Sequence, residues 1–304
     1  MLTSKYYIFS TIAELGSLSK AADKLNMAQS GVSYAISTLE GELGFPLFKR
    51  ERSGMLLTNN GERILVHVKQ ILHHEEQLLQ EALAIKGIET GLVRIGTLSS
   101  VSMQWLPGIL ASFHKQYPHI EVKTYLGCYD EMNEWISNKT VDFGFVSLPI
   151  SKSFEVQPLY KDRLMVILPP QHPLREQASI TFSQIRDEQF IMPQWGADDN
   201  IRRTLLEHGV QLQVQYELME ERTILAMVQL GLGISILPEL ILEHVPPDVH
   251  LIPLAPEEHR VIGLAALSFK QMPPAARKFV QCVHSWLVEK DLLHFPLTNT
   301  SKRK

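Results

Sequence analysis

The chain has 304 residues, 45% hydrophobic and 20% charged, with a net charge of −4. That length suits about two domains of roughly 100–200 residues, and the apolar fraction can build cores without disulfides or structural metals. Two cysteines, Cys128 and Cys282, stand far apart with no metal-ligand spacing, which points to a reducing cytoplasm. No run reaches the roughly 18–20 apolar residues of a membrane span, and the N-terminal MLTSKYYIFSTIAELG is too polar for a secretory signal, so no membrane partner is expected.

Residues 4–15 place Tyr7, Ile8, Thr11, Ile12 and Leu15 at helical spacing, predicting a helix that Gly16 ends. Ser17 or Ser19 can cap a second helix over 18–25. Asn26 and Met27 turn the chain into a third helix over 29–42, with Val32, Ile36, Leu39 and Leu43 inward. Phe45-Pro46 breaks it, and 47–50 and 55–57 read as two strands around a charged turn. Small residues are needed where two helices cross tightly, and Ala21 and Ala22 supply them. Gln29, Ser30, Ser33, Tyr34 and Ser37 would then face outward, as in a helix-turn-helix that seats its second helix in the DNA major groove. Gln29 can read adenine bidentately, and serines can meet several bases or phosphates. Ser19, on the preceding helix, is counted with them. Ala28 occupies the cap position of the third helix, where a missing hydroxyl costs about 1 kcal/mol. Residues 1–58 carry six basic and five acidic side chains, so binding needs placed contacts and more than one copy.

Thr58 can cap a long helix over 59–86, about 40 Å at 1.5 Å per residue. Its stripe of Ile64, Leu65, Val68, Ile71, Leu72, Leu79, Ala82 and Leu83 finds no segment of similar length in the chain, so a second copy of this helix is the expected partner. From Gly91 the pattern alternates. Strands are expected at 92–95, 120–125, 141–146, 164–168, 190–192, 213–218, 234–237 and 261–267. Helices are expected at 103–116, 130–138, 200–208, 222–230 and 275–289. This predicts an α/β fold with largely parallel sheets, arranged as two small sheets with a cleft between them.

A small-ligand site in such a fold lies at the carboxyl ends of strands. Thr97, Ser99, Ser100 and Ser102 follow the first strand, and their hydroxyls, with the amides of the next helix, would suit an anion. Ser147 closes another strand, and Gln194, Trp195, Asp198, Arg222 and Thr223 lie at comparable ends in the second half. Arg222 hints at a carboxylate metabolite as effector. An enzyme is not expected: GLGIS at 231–235 lacks the phosphate-loop patterns, no GxSxG elbow occurs, and no cofactor or metal set stands out. A solute-binding protein whose N-terminus only oligomerises is the alternative from another class.

The stretch SLSKAADKLNMAQSGVSYAISTLEGELGFPLFKRERSGMLLTNNGERIL resembles the signature region of the LysR-type transcriptional regulators. Further likenesses are GLVRIGTLSS followed by LPGIL, LMVILPPQHPL at 164–174, and GLGISILP at 231–238. The resemblance implies an all-α winged helix-turn-helix domain over 1–58, a linker helix over 59–88 that dimerises, and a two-subdomain α/β effector domain over 89–292. That last domain would be similar to type 2 periplasmic binding proteins. Subdomain I would comprise 89–161 and 267–292, subdomain II 162–266, and a flexible tail 293–304. It also implies Lys49, Arg50 and Arg52 as the wing, double-stranded DNA, a small-molecule effector and RNA polymerase as partners, and a homodimer or homotetramer. Many members carry Arg where this chain has Tyr34.

Overall fold

The computed structural model describes residues 2–52, 54–194 and 200–296. They fall into two compact units, one of residues up to Ile88 together with Asn138–Thr140, the other beginning at Glu89.

The first unit opens with α1 (Leu2–Leu15), α2 (Leu18–Leu25) and α3 (Gln29–Leu43). Ser17, rather than Ser19, caps α2 by accepting from the Lys20 amide, because its extended backbone aims the hydroxyl at the first turn. Asn26, in the left-handed region at φ 52°, ends α2, and Gly44 at φ 81° ends α3. Ile8, Phe9, Ile12, Ala21, Ala22, Val32, Ile36 and Leu39 form the shared core. The two alanines, essentially without exposed surface, let α2 cross α3 closely. β1 (Phe48–Glu51) and β2 (Gly54–Leu57) form an antiparallel hairpin, with Phe48 opposite Leu57 and Glu51 opposite Gly54. Two ties fix this wing. The Met55 amide donates to Gly16 O at 2.8 Å, and Glu40 Oε1 on α3 accepts from the Leu47 and Phe48 amides at 2.7 and 3.1 Å. Gly54 has φ 129°, and a Cβ there would stand 2.5 Å from Gly16 O, so both backbone and space require glycine.

Thr58 caps α4 (Asn59–Ile85) through the Gly61 amide at 2.9 Å. A Cβ on Gly61 would lie 2.1 Å from Leu47 O, so only glycine lets the helix leave against the wing strand. Ile64, Leu65, Val68 and Leu72 join the core of the head and root the helix in it. Beyond them Leu78, Leu79 and Ile85 are 66, 57 and 85% exposed.

The second unit runs β3 (Gly91–Thr97), α5 (Ser99–Gln104), α6 (Leu106–Gln116), β4 (Ile120–Leu126), α7 (Tyr129–Ser137), β5 (Phe143–Leu148), β6 (Glu155–Leu168), β7 (Ile180–Thr181), β8 (Gln189–Pro193), α8 (Asn200–Glu207), β9 (Gln213–Leu218), α9 (Glu221–Gln229), β10 (Ser235–Pro238), β11 (His250–Ala255), β12 (His259–Ala266) and α10 (Pro274–Glu289). The helix expected over 103–116 is two, broken at Trp105, with Pro107 in the first turn of α6. One subdomain is the sheet β4-β3-β5-β12-β6, packed against α6 and α10 through Ile95, Trp105, Phe113, Phe143, Phe279 and Val283. The other carries β6 onward between β10 and β11, with the parallel pair β8-β9 bridged to it through Phe190 and Ile234. Two hydrophobic clusters cover its faces.

The sheets are mixed rather than largely parallel. β3 runs parallel to β4 and β5, but β12 is antiparallel to β5 and β6, and β6 is antiparallel to β10 and β11. The reason is that the chain crosses between subdomains twice in opposite directions, on β6 and on the approach to β12. Because β12 pairs with β5 over Val261–Ala265, it belongs to the first subdomain's sheet. The second crossing therefore lies near 256–259, ahead of the expected boundary at 266. The tail expected from 293 is ordered at its start: the His294 amide donates to Leu159 O at 2.8 Å, and its ring stacks on Tyr160 at 4.4 Å. Stacking on an aromatic surface holds a polar residue that composition alone reads as frayed. Residues 297–304 lie outside the described ones.

Candidate functional site

Two regions gather the expected residues. On the head, α3 turns Val32, Ile36 and Leu39 into the core and leaves Gln29, Ser30, Tyr34 and Ser37 exposed, with Ser33 half-buried. Tyr34 is 75% exposed. α3 begins at Ala28 without a side-chain cap, so neither Asn26 nor Ser30 replaces the missing hydroxyl. Ser19 Oγ donates to Gln29 Oε1 at 3.2 Å across the helix pair, which orients the Gln29 amide group. On the wing, Lys49 pairs with Glu51 at 3.0 Å. Lys5 and Lys24 pair with Glu42 and Glu14. Lys20, Arg50 and Arg52 are exposed and make no ion pair among the described residues, so the free positive charge of the head lies around α3 and the wing.

In the second unit, side chains from both subdomains meet across the cleft. Ser99 Oγ, at the start of α5, donates to Glu221 Oε1 at 2.5 Å, at the start of α9. Asn200 Nδ2, on α8, donates to Ser147 Oγ at 2.5 Å and to Tyr129 Oη at 3.3 Å. Beneath them a buried ion pair joins the crossing strands. Arg260 on β12 stands opposite Asp162 on β6. They are 3 and 0% exposed, and the Arg260 guanidinium approaches Asp162 Oδ2 at 2.8 Å through both Nε and Nη2. Nη2 also donates to Ser100 Oγ at 2.7 Å, and Asp162 Oδ1 accepts from the Leu240 amide at 2.9 Å. Burial works against the charge on Arg260, but the Asp162 carboxylate and Tyr129 together outweigh it and hold the guanidinium above its ordinary pKa. A small molecule that moves Ser100 therefore acts on a buried charged link between the two crossings.

Two protein-family models match the chain. The one described as "Bacterial regulatory helix-turn-helix protein, lysR family" covers residues 4–62, and "LysR substrate binding domain" covers 86–288. The chain belongs to the LysR family of bacterial transcriptional regulators. It is a DNA-binding regulator under the control of an effector held by its C-terminal domain. An uncharacterized HTH-type transcriptional regulator of Bacillus subtilis, YvbU, is 33% identical over 284 residues, covering 92% of this chain and 97% of that protein. A probable HTH-type transcriptional regulator of Synechococcus elongatus, LrrA, is 32% identical, covering 92% and 95%. Such relatives point to a role in transcription rather than catalysis. Among solved structures, a full-length OxyR variant from Pseudomonas aeruginosa aligns with a TM-score of 0.77 at 22% identity, covering 100% of this chain and 99% of that one. Full-length CbnR complexed with its target DNA aligns at 0.67 and 20%, covering 94% and 100%. At these identities the two structures establish the fold.

Within this LysR-family regulator, the cleft differs in detail from the sequence reading. Ser99, Ser100 and Ser147 reach it. Thr97 is buried, with its hydroxyl donating to Leu98 O, and Ser102 is half-buried on α5. Arg222 and Thr223 do not make the cross-cleft contact; their neighbour Glu221 does. Both are exposed, and Thr223 Oγ1 donates to Glu220 Oε2 at 2.7 Å. That bond, with the Arg222 and Thr223 amides, makes Glu220 the cap of α9 and holds its carboxyl below the usual range. Gln194 is exposed, with its amide bound to Leu218 O. Trp195 and Asp198 lie outside the described residues. Arg260, Asp162, Asn200, Tyr129 and Glu221 were not anticipated. The only signal for the first two was a charge at the edge of an apolar run, Asp162 in KDRLMVIL and Arg260 in HRVIGLAA. Among the described residues there is no cluster of three metal-ligating side chains and no helix long and apolar enough to cross a membrane.

Proposed function

We propose that this regulator binds its operators as a homodimer that pairs into a homotetramer, seating α3 of each head in the major groove. Gln29, Ser30, Ser33, Tyr34 and Ser37 would meet bases and phosphates there, with Ser19 orienting Gln29 and with Lys49, Arg50 and Arg52 on flanking backbone. The observation that carries the reading is the exposed polar face of α3 on a fully packed head, on a rod that leaves Leu78, Leu79 and Ile85 largely exposed. The domain limits 1–58, 59–88 and 89–292 follow the same division. Effector occupancy between the subdomains would bias the crossing strands and so the spacing of paired heads, because a ligand shifts an equilibrium by its differential affinity for the two states. RNA polymerase is the further partner through which a change of DNA geometry would act. No cofactor or enzymatic step is required, and the working site is the cytoplasm, with the DNA.

The test is a gel-shift against an operator selected from random duplex DNA. Gln29→Ala is expected to weaken specific binding by about 1–3 kcal/mol, roughly 5- to 150-fold, while leaving binding to random duplex almost unchanged. Ser33→Ala should fall in the same direction with a smaller loss. Unchanged specific affinity in both variants would remove this assignment of base-reading residues.

A further inference from the structure

A cavity of about 370 Å³ opens beside the cleft, where the carboxyl end of β5, the first turn of α7 and the turn through Pro149–Lys152 meet α8. That is enough room for a small metabolite. Met132, Val146 and Ile150 give it an apolar wall. Its charged lining is Lys152 and Arg203 against Asp130. Lys152 is exposed and has no hydrogen bond or ion pair among the described residues.

Arg203 links the cavity to the bridge across the cleft. Its Nη2 donates to Asn200 Oδ1 and, at 3.3 Å, to Leu148 O. Asn200, 3% exposed, in turn donates to Ser147 and Tyr129, both of which also line the cavity. The guanidinium thereby fixes the amide whose other end holds the two subdomains together. An anion in the cavity competes with Asn200 Oδ1 for the same donor, and charge-assisted hydrogen bonds to a carboxylate outcompete those to a neutral amide.

We propose that this cavity binds a small carboxylate with a short aliphatic body, its anionic head on Lys152 and Arg203, and that filling it loosens Asn200 from Ser147. The proposal rests on the reading that a ligand between the subdomains controls the regulator. It supplies a carboxylate-binding pair in place of Arg222. Asp130 at the rim sets the ligand's size, since a second carboxylate on a longer chain would face it.

The experiment uses the full-length protein and three isosteric probe sets at about 10 mM: butyrate and isovalerate, their amides, and the corresponding amines. Both carboxylates are expected to raise Tm by about 2 °C or more, the amides and amines not. Lys152→Gln, a change on an exposed turn, should weaken carboxylate binding at least about tenfold by calorimetry, whereas Arg222→Gln should leave it unchanged. No rise with either carboxylate, an equal rise with the amides or amines, or full binding by Lys152→Gln overturns the proposal. Operator footprints with and without isovalerate separate it from the reading beneath. A carboxylate that binds through Lys152 and alters the footprint supports both. One that binds through Lys152 and leaves the footprint unchanged keeps the pocket and removes its control of DNA.

Discussion

Arg260→Met is expected to cost the effector domain about 3–5 kcal/mol of stability, the range for removing one partner of a buried ion pair. Asp162 is fully buried and would keep only the Leu240 amide on its other oxygen. The carboxylate must then stay charged without a cation or take up a proton. Ser100 loses its donor in the same step. All four tryptophans, at positions 105, 135, 195 and 286, lie in the effector domain, so urea unfolding followed by tryptophan fluorescence reports this domain alone. The double variant Asp162→Leu with Arg260→Met removes both charges and should recover a large part of the loss, since replacing a buried pair by apolar groups is often close to neutral. A single-variant loss below about 1 kcal/mol would mean that water reaches the pair and that it does not lock the two crossings.

The second large effect is on assembly. Leu78→Lys with Ile85→Lys should turn the protein monomeric in sedimentation velocity and lower operator affinity by about 10²–10⁴-fold, the range lost when two linked sites act separately. Both side chains are largely exposed, so the substitutions remove little packing within the chain. The head, rooted through Ile64, Leu65, Val68 and Leu72, should keep its fold and its weak, salt-sensitive binding to random duplex. A variant that stays dimeric, or that is monomeric yet binds its operator undiminished, would separate α4 from the function assigned to it.

The head was almost fully legible because short-range rules decide it. The second helix over 18–25 appears at its expected limits, and the core residues of α3 are those its helical spacing selects. The same spacing set Gln29, Ser30, Tyr34 and Ser37 outward, so the exposed face of α3 was readable too. The effector domain was legible where a strand follows its own pattern, as at Gln213–Leu218, and less so where partners decide. Only 164–168 of the fourteen-residue β6 was expected, because EVQPLYKDR carries Pro158 and four charges that disfavour a central strand by local rules. β12 pairs along that segment regardless and makes it a central strand. β11 is an unread strand of the same kind, held by its place beside β6.

Cleft residues were harder for a related reason. Asp162 and Arg260 are 98 positions apart, and only the register of β6 against β12 puts them opposite each other. Glu220, Glu221, Arg222 and Thr223 form one helix start. Sequence favours its arginine as a ligand group, but capping geometry commits Glu220 and Thr223 to the helix and brings Glu221 to Ser99. Which of four consecutive polar residues crosses a cleft depends on where the helix begins, to within one residue.

The account depends most on two heads, joined through their α4 helices, seating α3 in successive major grooves. A footprint of the full-length protein on its selected operator tests this most directly. Protection of two half-sites with centres about one helical turn or a whole number of turns apart is predicted, near 10–10.5 base pairs or multiples of it. The two half-sites should be lost together in Leu78→Lys with Ile85→Lys. Protection of a single isolated half-site by the intact protein, or of no preferred sequence at moderate salt, would contradict it.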